Sequence, residues 1–418
     1  MNLVRHFTYG TRLSTNHIRT LRMAIQEVIE TTPMKASTGK SHNGHLQAEA
    51  AEFIPPCAFD FKSDTVTMPT SRMIAAASKA LAANQIGDDV YREDKTTEAF
   101  QQKIAGMYRK EAALFIPSGT MANQICLRTH LHQPPHSIIC DDRAHVYRNE
   151  AGALGMFTQA MVSPVKASNG VYLTLEDIEP NVIYGEDIHD APTRVISLEN
   201  TLRGSIMPLG EIKRISAFAR KHDIRMHLDG ARLWNAHVAT GTPLGDYGDL
   251  FDSISVCLSK GLGAPIGSVI VGKSEYIRKA TWFRKAMGGG MRQTGIIAAM
   301  ADVCLTENLP QMVYTHSVTK DLARTLTNVG WKFTMPVDTN MIWLDTEQAN
   351  VDVKLMVEDA ASRGINIGGG RIVLHYQNSP GAIEELREVL KLAILGGLHN
   401  RKQDNGSSHK VAANGYGN

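Results

Sequence analysis

The chain has 418 residues, of which 43% are hydrophobic, so it can bury a substantial core, most naturally in two domains. Lys and Arg number 44 against 42 Asp and Glu, and this balance lacks the basic field that nucleic-acid binding requires. No apolar run approaches the roughly 20 residues that span a bilayer, so neither nucleic acid nor membrane is expected as a partner.

The first segment, residues 1–58, is predicted to be an N-terminal extension that is largely disordered or carries a targeting signal. Arginines at positions 5, 12, 19 and 22, several Ser/Thr and no acid before Glu27 are typical of a mitochondrial transit peptide. A plain disordered extension remains the alternative, and residues 36–51 have the composition of a linker. Five scattered cysteines without a C-x-x-C pair favour a reducing compartment. We therefore expect a cytoplasmic protein, with the mitochondrion as the alternative.

Residues 59–305 alternate short apolar runs with helical periodicity, which predicts an α/β fold: a mostly parallel sheet with helices on both faces. Ligands of such sheets bind beyond the carboxyl ends of the strands. Polar residues follow several predicted strands at this edge. The strands are predicted at 113–116, 137–140, 195–198, 225–228, 253–258 and 268–271, and the polar residues are Ser118, His145, Glu199, Asn200, Asp229 and Lys260.

The pattern changes after position 305. Residues 306–401 predict a smaller C-terminal α+β domain of two helices around strands at 340–344 and 371–375. Residues 402–418 predict a disordered tail. The cleft between the two domains is then the expected substrate site.

Asp229 and Lys260 each end a short apolar run and precede a glycine, 31 residues apart. A lysine amine forms a Schiff base with the aldehyde of pyridoxal 5'-phosphate (PLP), and a carboxylate pairs with its pyridinium nitrogen and keeps the ring an electron sink. Either residue alone is uninformative, but the pair at the ends of two strands predicts a PLP site. No metal is expected.

The run from Pro117 to Asn123 joins a strand to a helix, and its hydroxyls and free N–H groups predict a phosphate cup at Ser118, Gly119 and Thr120. An ordinary helix N-cap is the alternative. The run has no Walker pattern. The glycine-rich run at 261–267 has the wrong spacing for a dinucleotide loop and is interrupted by Pro265.

Several motifs in order resemble those of low-specificity L-threonine aldolases, closest to the fungal members. The runs are S-D-T-V-T at 63–67, G-D-D-V-Y at 87–91, P-S-G-T at 117–120, R-A-H-V-Y at 143–147, S-L-E-N-T at 197–201, H-L-D-G-A-R at 227–232, L-S-K-G at 258–261 and G-G-G-M-R-Q at 288–293. The resemblance covers about 59–398. It implies the PLP-dependent transferase type I fold, a homodimer or homotetramer with sites at the subunit interface, and an aldehyde-lyase that releases glycine.

The resemblance also implies roles for individual residues. Lys260 is implied as the Schiff-base lysine, Asp229 as the partner of the pyridinium, and His145 as a residue that stacks on the cofactor ring and faces the substrate hydroxyl. The phosphate would be held by Ser118, Gly119 and Thr120. Substrate-carboxylate ligands would be Ser63, Arg232 and Arg371. Glu150 and Tyr91 match positions near the site, and Lys285 and Arg292 match a basic pair at its entrance; Tyr91 and Arg292 would come from the neighbouring subunit.

The sequence departs from the family after S-L-E-N-T, where a histidine is frequent but Leu202 and Arg203 stand here. If that histidine accepts the hydroxyl proton, the task falls to His145 or to water. Arg92 also stands where many relatives have glycine. These changes keep a second PLP reaction open, racemisation of an amino acid such as alanine in a fungal secondary-metabolite pathway, for which Lys260 and His145 would serve as the two proton donors.

Overall fold

A computed structural model describes residues 54–396. The predicted extension, except residues 54–58, lies outside the described residues, and so does the predicted tail at 402–418. Among residues 54–396, none of the helices combines the length and the apolarity needed to cross a membrane.

A seven-stranded sheet forms the centre of the fold, in the order β1-β7-β6-β5-β4-β2-β3. Only β7 runs antiparallel to its neighbours, β1 and β6, so the predicted mostly parallel sheet is confirmed. The edge strand β3 was not predicted, because it contains Pro164 and most of its side chains are exposed or half-buried, so it lacks an apolar run. Proline is tolerated in a strand at the edge of a sheet. The strands are β1 (Ala112–Ile116), β2 (Ser137–Asp141), β3 (Met161–Val165), β4 (Thr193–Glu199), β5 (Arg225–Asp229), β6 (Ser253–Cys257) and β7 (Ser268–Gly272).

Helices follow most of the strands, as the alternation of apolar runs predicts. Along β1, Ala113 and Phe115 pack in one hydrophobic cluster while Leu114 and Ile116 pack in another, so both faces of the sheet are covered. The α-helices are α1 (Ser71–Ala82), α2 (Lys95–Met107), α3 (Gly119–His130), α4 (His145–Arg148), α5 (Leu175–Ile178), α6 (Leu209–Lys221), α7 (Leu233–Thr240), α8 (Leu244–Gly248), α9 (Ser274–Ala286), α10 (Gly295–Val303), α11 (Met312–Asn328), α12 (Val353–Ser362) and α13 (Pro380–Leu395).

A second hydrophobic core lies in the C-terminal part of the chain. The antiparallel pair β8 (Met341–Trp343) and β9 (Arg371–Val373) packs there with α11, α12 and α13, which is one helix more than predicted. Phe61, although remote in sequence, is fully buried in this core. Its backbone explains the placement, because Phe61 N–H donates to Asn366 O and Phe61 O accepts from Val373 N–H.

The sheet brings the predicted polar residues to one edge. Glu199 and Asp229 end the paired strands β4 and β5 and are register partners. Ile116 of β1 and Cys257 of β6 are both opposite Ser268 of β7, so the segments after β1 and β6 leave the sheet side by side.

Candidate active site

A cavity of about 290 Å³ lies beyond the carboxyl ends of the strands. It brings together six of the predicted site residues, which come from four separate segments of the chain. Its lining consists of Pro117, Ser118, Gly119, Thr120, Asn123, His145, Asp229, Ala231, Cys257, Ser259, Lys260, Pro265, Ile266 and Gly267.

The start of α3 forms one wall of the cavity. Ser118 is its N-cap and accepts a hydrogen bond from Met121 N–H at 3.3 Å, so the cap interpretation holds. It does not exclude the phosphate cup, because the N–H groups of Gly119 and Thr120 have no acceptor among residues 54–396. A Cβ on Gly119 would lie 2.6 Å from Cys257 Sγ, so a larger residue here would displace the Cys257 side chain. The wall therefore offers N–H groups and the positive end of a helix dipole to an anion.

Asp229 lies at the base of the cavity and is 2% exposed. Its Oδ2 accepts from Asn123 Nδ2 at 2.8 Å and its Oδ1 from Ala231 N–H at 3.0 Å. No cationic side chain pairs with it among the described residues. A buried carboxylate in this position favours a ligand that brings a positively charged N–H.

His145 lines the cavity and is held from behind. The backbone N–H of His145 donates to Glu199 Oε2 at 2.8 Å, and its ring atom Nδ1 lies 2.8 Å from Glu150 Oε1. Burial lowers the pKa of His145, but the bond to Glu150 and the charges of Asp229, Glu150 and Glu199 outweigh it, and the net pKa is raised. Since Nδ1 donates to Glu150, Nε2 is the atom left for a ligand, and it has no partner among residues 54–396.

Glu150 had been expected near the substrate. Its side chain is fully buried, and both oxygens are occupied: Oε1 accepts from His145 and Asn123, and Oε2 accepts from Gln124 at 2.6 Å. Glu150 therefore does not line the cavity itself, but it holds His145, which does. His145, Glu150 and Asp229 place ligand atoms within 4.8 Å of one another, and Asn123 donates to both carboxylates, which relieves their repulsion.

Glu199 at the end of β4 is a second acid close to His145. Burial, followed by the negative charge of Asp229, raises its pKa, while the hydrogen bond from His145 N–H opposes the shift. The sequence predicted Glu199 at the end of a strand but gave it no role. In the structure its side chain accepts a hydrogen bond from the backbone N–H of His145.

Lys260 follows β6 and contributes its side chain to the cavity. Its carbonyl accepts from Gly263 N–H at 2.7 Å, which fixes the turn. Its Nζ makes no hydrogen bond or ion pair within residues 54–396. A primary amine without an acceptor, beside a buried carboxylate and a row of free N–H groups, is poised for a ligand.

The predicted carboxylate ligands lie beside this turn. Arg232 makes a bidentate ion pair with buried Asp64: Nε donates to Oδ2 at 2.9 Å and Nη2 donates to Oδ1 at 2.5 Å. Burial raises the pKa of Asp64, but the charge and hydrogen bonds of Arg232 outweigh it and the net pKa is lowered. A Cβ on Gly261 would lie 3.3 Å from Asp64 Oδ2, which places the pair next to Lys260.

Arg371 and Ser63 lie near the same ion pair. Arg371 donates from Nη2 to Lys62 O at 2.7 Å. Burial and then the nearby charge of Arg232 lower the pKa of Arg371. Ser63 Oγ accepts from Thr65 Oγ1 at 2.9 Å. Two guanidinium groups thus approach each other beside the cavity, an arrangement that an anion stabilises.

Tyr91, Lys285 and Arg292 do not line the cavity. Arg292 pairs with Asp88 at 2.7 Å and lies 5.8 Å from the centre of the Tyr91 ring. A Cβ on Gly290 would lie 3.1 Å from Lys285 Cδ, which places that lysine beside the same loop. We call Tyr91, Asp88, Lys285 and Arg292 the entrance cluster. Tyr91 is 70% exposed.

Leu202 and Arg203 stand where related sequences often have a histidine. Leu202 is buried and Arg203 is half-buried. The Arg203 guanidinium lies 5.3 Å from the centre of the Trp343 ring, and its carbonyl accepts from Trp343 Nε1 at 2.8 Å. Burial and then the charge of Arg143 lower the pKa of Arg203. Neither residue takes the place of a histidine that accepts a proton.

These residues fit PLP on three independent grounds. Within residues 54–396, Asp229 is a buried carboxylate without a paired cation, Lys260 Nζ is an amine without an acceptor, and the start of α3 has N–H groups without an acceptor beside the tightly packed Gly119. Respectively they match a pyridinium nitrogen, an aldehyde and a phosphate. The class that the fold and cavity define is therefore the PLP-dependent enzymes of fold type I.

Comparison with known proteins narrows the class. The β-eliminating lyase family model matches residues 60–349. The probable low-specificity L-threonine aldolase of Schizosaccharomyces pombe is 48% identical over 80% of this chain and 87% of its own length. Alanine racemase TOXG of Cochliobolus carbonum is 39% identical over 79% of this chain and 86% of its own. The structure of Leishmania major threonine aldolase has a TM-score of 0.70 at 19% identity, covering 80% of this chain and 99% of that one.

The chain therefore belongs to the PLP-dependent β-eliminating lyase family, on the branch of the low-specificity L-threonine aldolases. The predicted family, fold type and cofactor are confirmed.

Besides Glu199, two residues of the site received no role from the sequence. Asn123 was read only as part of the phosphate run, and Asp64 only as part of a family motif. A signal existed for Asn123, because an Asn-Gln pair flanked directly by Ala122, Ile125 and Cys126 in a helix marks polar groups that face the core. None existed for Asp64, whose partner Arg232 lies 168 positions away.

Proposed function

We propose that the chain cleaves β-hydroxy-α-amino acids of the L-threonine and L-allo-threonine type to glycine and an aldehyde, by retro-aldol scission of the Cα–Cβ bond. The observation that carries the proposal is His145, whose Nδ1 is fixed by Glu150 and whose Nε2 is free in the cavity that holds Lys260 and Asp229. The family branch supports the same reaction.

Each residue has a task in this reaction. Bound PLP supplies the electron sink that accepts the electron pair left on Cα when the bond to Cβ breaks. Lys260 would hold the cofactor in the resting enzyme, and Asp229 would keep the ring nitrogen protonated. His145 Nε2 would accept the proton of the β-hydroxyl as its C–O bond becomes the carbonyl of the aldehyde, with Glu150 stabilising the resulting imidazolium.

Orientation of the substrate is assigned to its carboxylate. Arg371 and Ser63 would bind it, together with Arg232 through Nη1, since Nε and Nη2 of Arg232 are engaged by Asp64. The two guanidinium groups lie close enough for their charges to interact, and a carboxylate between them would offset that repulsion. Fixing the carboxylate also fixes which bond at Cα stands perpendicular to the ring, and in an aldolase this is the bond to Cβ.

Racemisation of alanine is the alternative on this scaffold. Lys260 and His145 both line the cavity, and one relative is named an alanine racemase. That relative is 39% identical, whereas the S. pombe aldolase is 48% identical over a similar share of the chain. The buried Glu150 that orients His145 suits a base that acts on a hydroxyl. Cleavage is therefore the preferred assignment.

The active form is proposed to be a homodimer or homotetramer with composite sites. The entrance cluster lies outside the cavity, so we assign its contribution to the site of a neighbouring subunit. Trp282, 70% exposed, lines a second cavity of about 780 Å³ together with Asp89 and Arg284. Exposed aromatic surface of this kind is typical of a protein interface.

Cytoplasmic localisation is likewise a proposal, with the mitochondrion as the alternative. It is supported by the five cysteines, all of them unpaired and buried, which suits a reducing compartment. We also propose a division into domains at 59–305 and 306–401, because each part contributes most of a separate hydrophobic core. Phe61 of the first part packs in the second core, so the N-terminal boundary is not sharp.

The test is cleavage by the purified holoenzyme and by His145→Asn. Glycine release from L-threonine and L-allo-threonine is expected for the wild type, and a loss of about 100-fold or more for the variant, which is typical for removal of a general base. Visible absorbance of bound cofactor serves as the control that the variant still holds PLP. Full turnover in His145→Asn, or no glycine from the wild type with either substrate, would overturn the proposal.

A further inference from the structure

At the wall of the cavity, the buried side chain of Asn123 connects two acids: Asp229, assigned to the cofactor, and Glu150, which holds His145. Asn123 is 2% exposed, and its Nδ2 donates to Asp229 Oδ2 at 2.8 Å and to Glu150 Oε1 at 2.9 Å. Both hydrogens of the amide are used, one on each carboxylate. Glu150 Oε1 also accepts from His145, so a single amide connects the position of the ring-nitrogen partner to that of the imidazole.

Chemistry fixes the orientation of this amide. A carboxylate can only accept, so the nitrogen of Asn123 must face Asp229 and Glu150 and its oxygen must face the other way. On that side Oδ1 lies 2.6 Å from Ser255 Oγ and 3.2 Å from His227 Nε2. Since an amide oxygen only accepts, both neighbours must donate to it.

The chain of donors continues away from the cavity. Burial lowers the pKa of His227 to about 4, so its ring is neutral at neutral pH and carries a single proton. That proton is on Nε2, because Asn123 requires it, and Nδ1 then accepts from Ser253 Oγ at 2.9 Å. Ser253 Oγ in turn accepts from His130 Nε2 at 2.8 Å. Every hydrogen bond from His130 to Asp229 therefore points in one direction.

We propose that Asn123 is a positioning residue that aims the Asp229 carboxylate at the cofactor ring nitrogen, with Ser255 and His227 holding the Asn123 amide in place. The inference rests on the proposed role of Asp229. A carboxylate aimed at the ring nitrogen favours the protonated ring, because an opposite charge nearby stabilises the cation. Without Asn123, Asp229 would face Glu150 without the intervening donor and would turn away from the ring nitrogen, so the ring would hold its proton less well.

The chain provides a matched control in the next residue. Gln124 donates from Nε2 to Glu150 Oε2 at 2.6 Å and makes no bond to Asp229. Gln124→Ala thus removes a buried amide from the same helix turn and from the same glutamate. It leaves the hydrogen bond to Asp229 in place.

The experiment is the ¹⁵N NMR spectrum of holoenzyme reconstituted with PLP labelled at its ring nitrogen. For the wild type we expect the ¹⁵N chemical shift of a protonated ring nitrogen, and for Asp229→Asn that of a neutral ring nitrogen. The chemical shift of Asn123→Ala should lie between these two values. Gln124→Ala should stay at the wild-type position. Turnover should fall about 10- to 100-fold in Asn123→Ala, the range for a hydrogen bond to a charged group.

Ser255→Ala removes only one of the two donors to Asn123 and is the milder variant, to be measured if Asn123→Ala does not fold. It should give a smaller shift in the same direction. A wild-type signal in both Asn123→Ala and Ser255→Ala, with Asp229→Asn shifted, would overturn the inference alone, and so would an equal shift in Gln124→Ala. An unshifted Asp229→Asn would overturn the role of Asp229 itself.

Discussion

The cavity and the entrance cluster differ in how deeply their side chains are buried and in how many hydrogen bonds those side chains make. Around the cavity, Asp229 and Glu150 are buried and His145 is half-buried, and each is held by hydrogen bonds to side chains or backbone of the same chain. In the entrance cluster, Tyr91, Lys285 and Arg292 are exposed, and the side chains contact one another through the Asp88–Arg292 pair and a ring contact. The cofactor residues are thus fixed within one chain, whereas the entrance cluster is the part that we propose a neighbouring subunit uses.

The largest effect is expected at Lys260. Lys260→Ala should fold, because the side chain makes no polar bond within residues 54–396 and little packing depends on it. It should lose the visible absorbance of the lysine-linked cofactor and bring turnover to the background rate. Absorbance spectra before and after borohydride, together with thermal unfolding, check both statements. Wild-type absorbance in the variant would mean that a different lysine holds the cofactor.

The second effect addresses assembly. Lys260→Ala and Arg292→Ala should each be inactive, and their mixture should regain activity after subunit exchange, because half of the sites in a hybrid dimer carry neither change. Random exchange predicts about a quarter of wild-type activity. Each variant incubated with itself is the control. No recovery despite exchange, or a monomer by light scattering, would contradict a composite site.

The smallest effect concerns stability and comes from a histidine that does not line the cavity. His316 is buried, and its Nε2 lies 2.9 Å from Asn235 Oδ1; burial lowers its pKa to about 4. The unfolded chain, with a histidine pKa near 6.5, binds the proton first, so acidification from pH 6.5 toward 4 favours unfolding. At pH 5 this amounts to about 2 kcal/mol relative to pH 8.

His316→Gln keeps a donor for Asn235 without titrating. Its free energy of unfolding should therefore fall less than that of the wild type between pH 8 and pH 5. Denaturant unfolding of both proteins at the two pH values, at the same PLP concentration, gives the difference. Parallel pH dependence of the two proteins would show that His316 is not buried in its neutral form.

Much of the fold and of the cavity could be predicted because strand ends are visible in the sequence. Lys260 and Asp229 each close a short apolar run, and Ser118 precedes a helix, so the topology of a parallel sheet places them together. The pairing of Arg232 with Asp64 depends on contacts across 168 positions, which no local pattern records. Phe61 packs in the second core because its backbone pairs with β9. Glu150 lies behind His145 because His145, Asn123 and Gln124 occupy its oxygens.

Which bond at Cα breaks is the central question, and one assay of the purified holoenzyme addresses it. The holoenzyme is incubated in heavy water with L-threonine, L-allo-threonine or L-alanine. The products are separated on a chiral column, and their deuterium content is measured by mass spectrometry. Cleavage of the Cα–Cβ bond predicts glycine and acetaldehyde from at least one of the two hydroxy amino acids and no D-alanine. Efficient formation of Cα-deuterated D-alanine, with no glycine from either hydroxy amino acid, would contradict it.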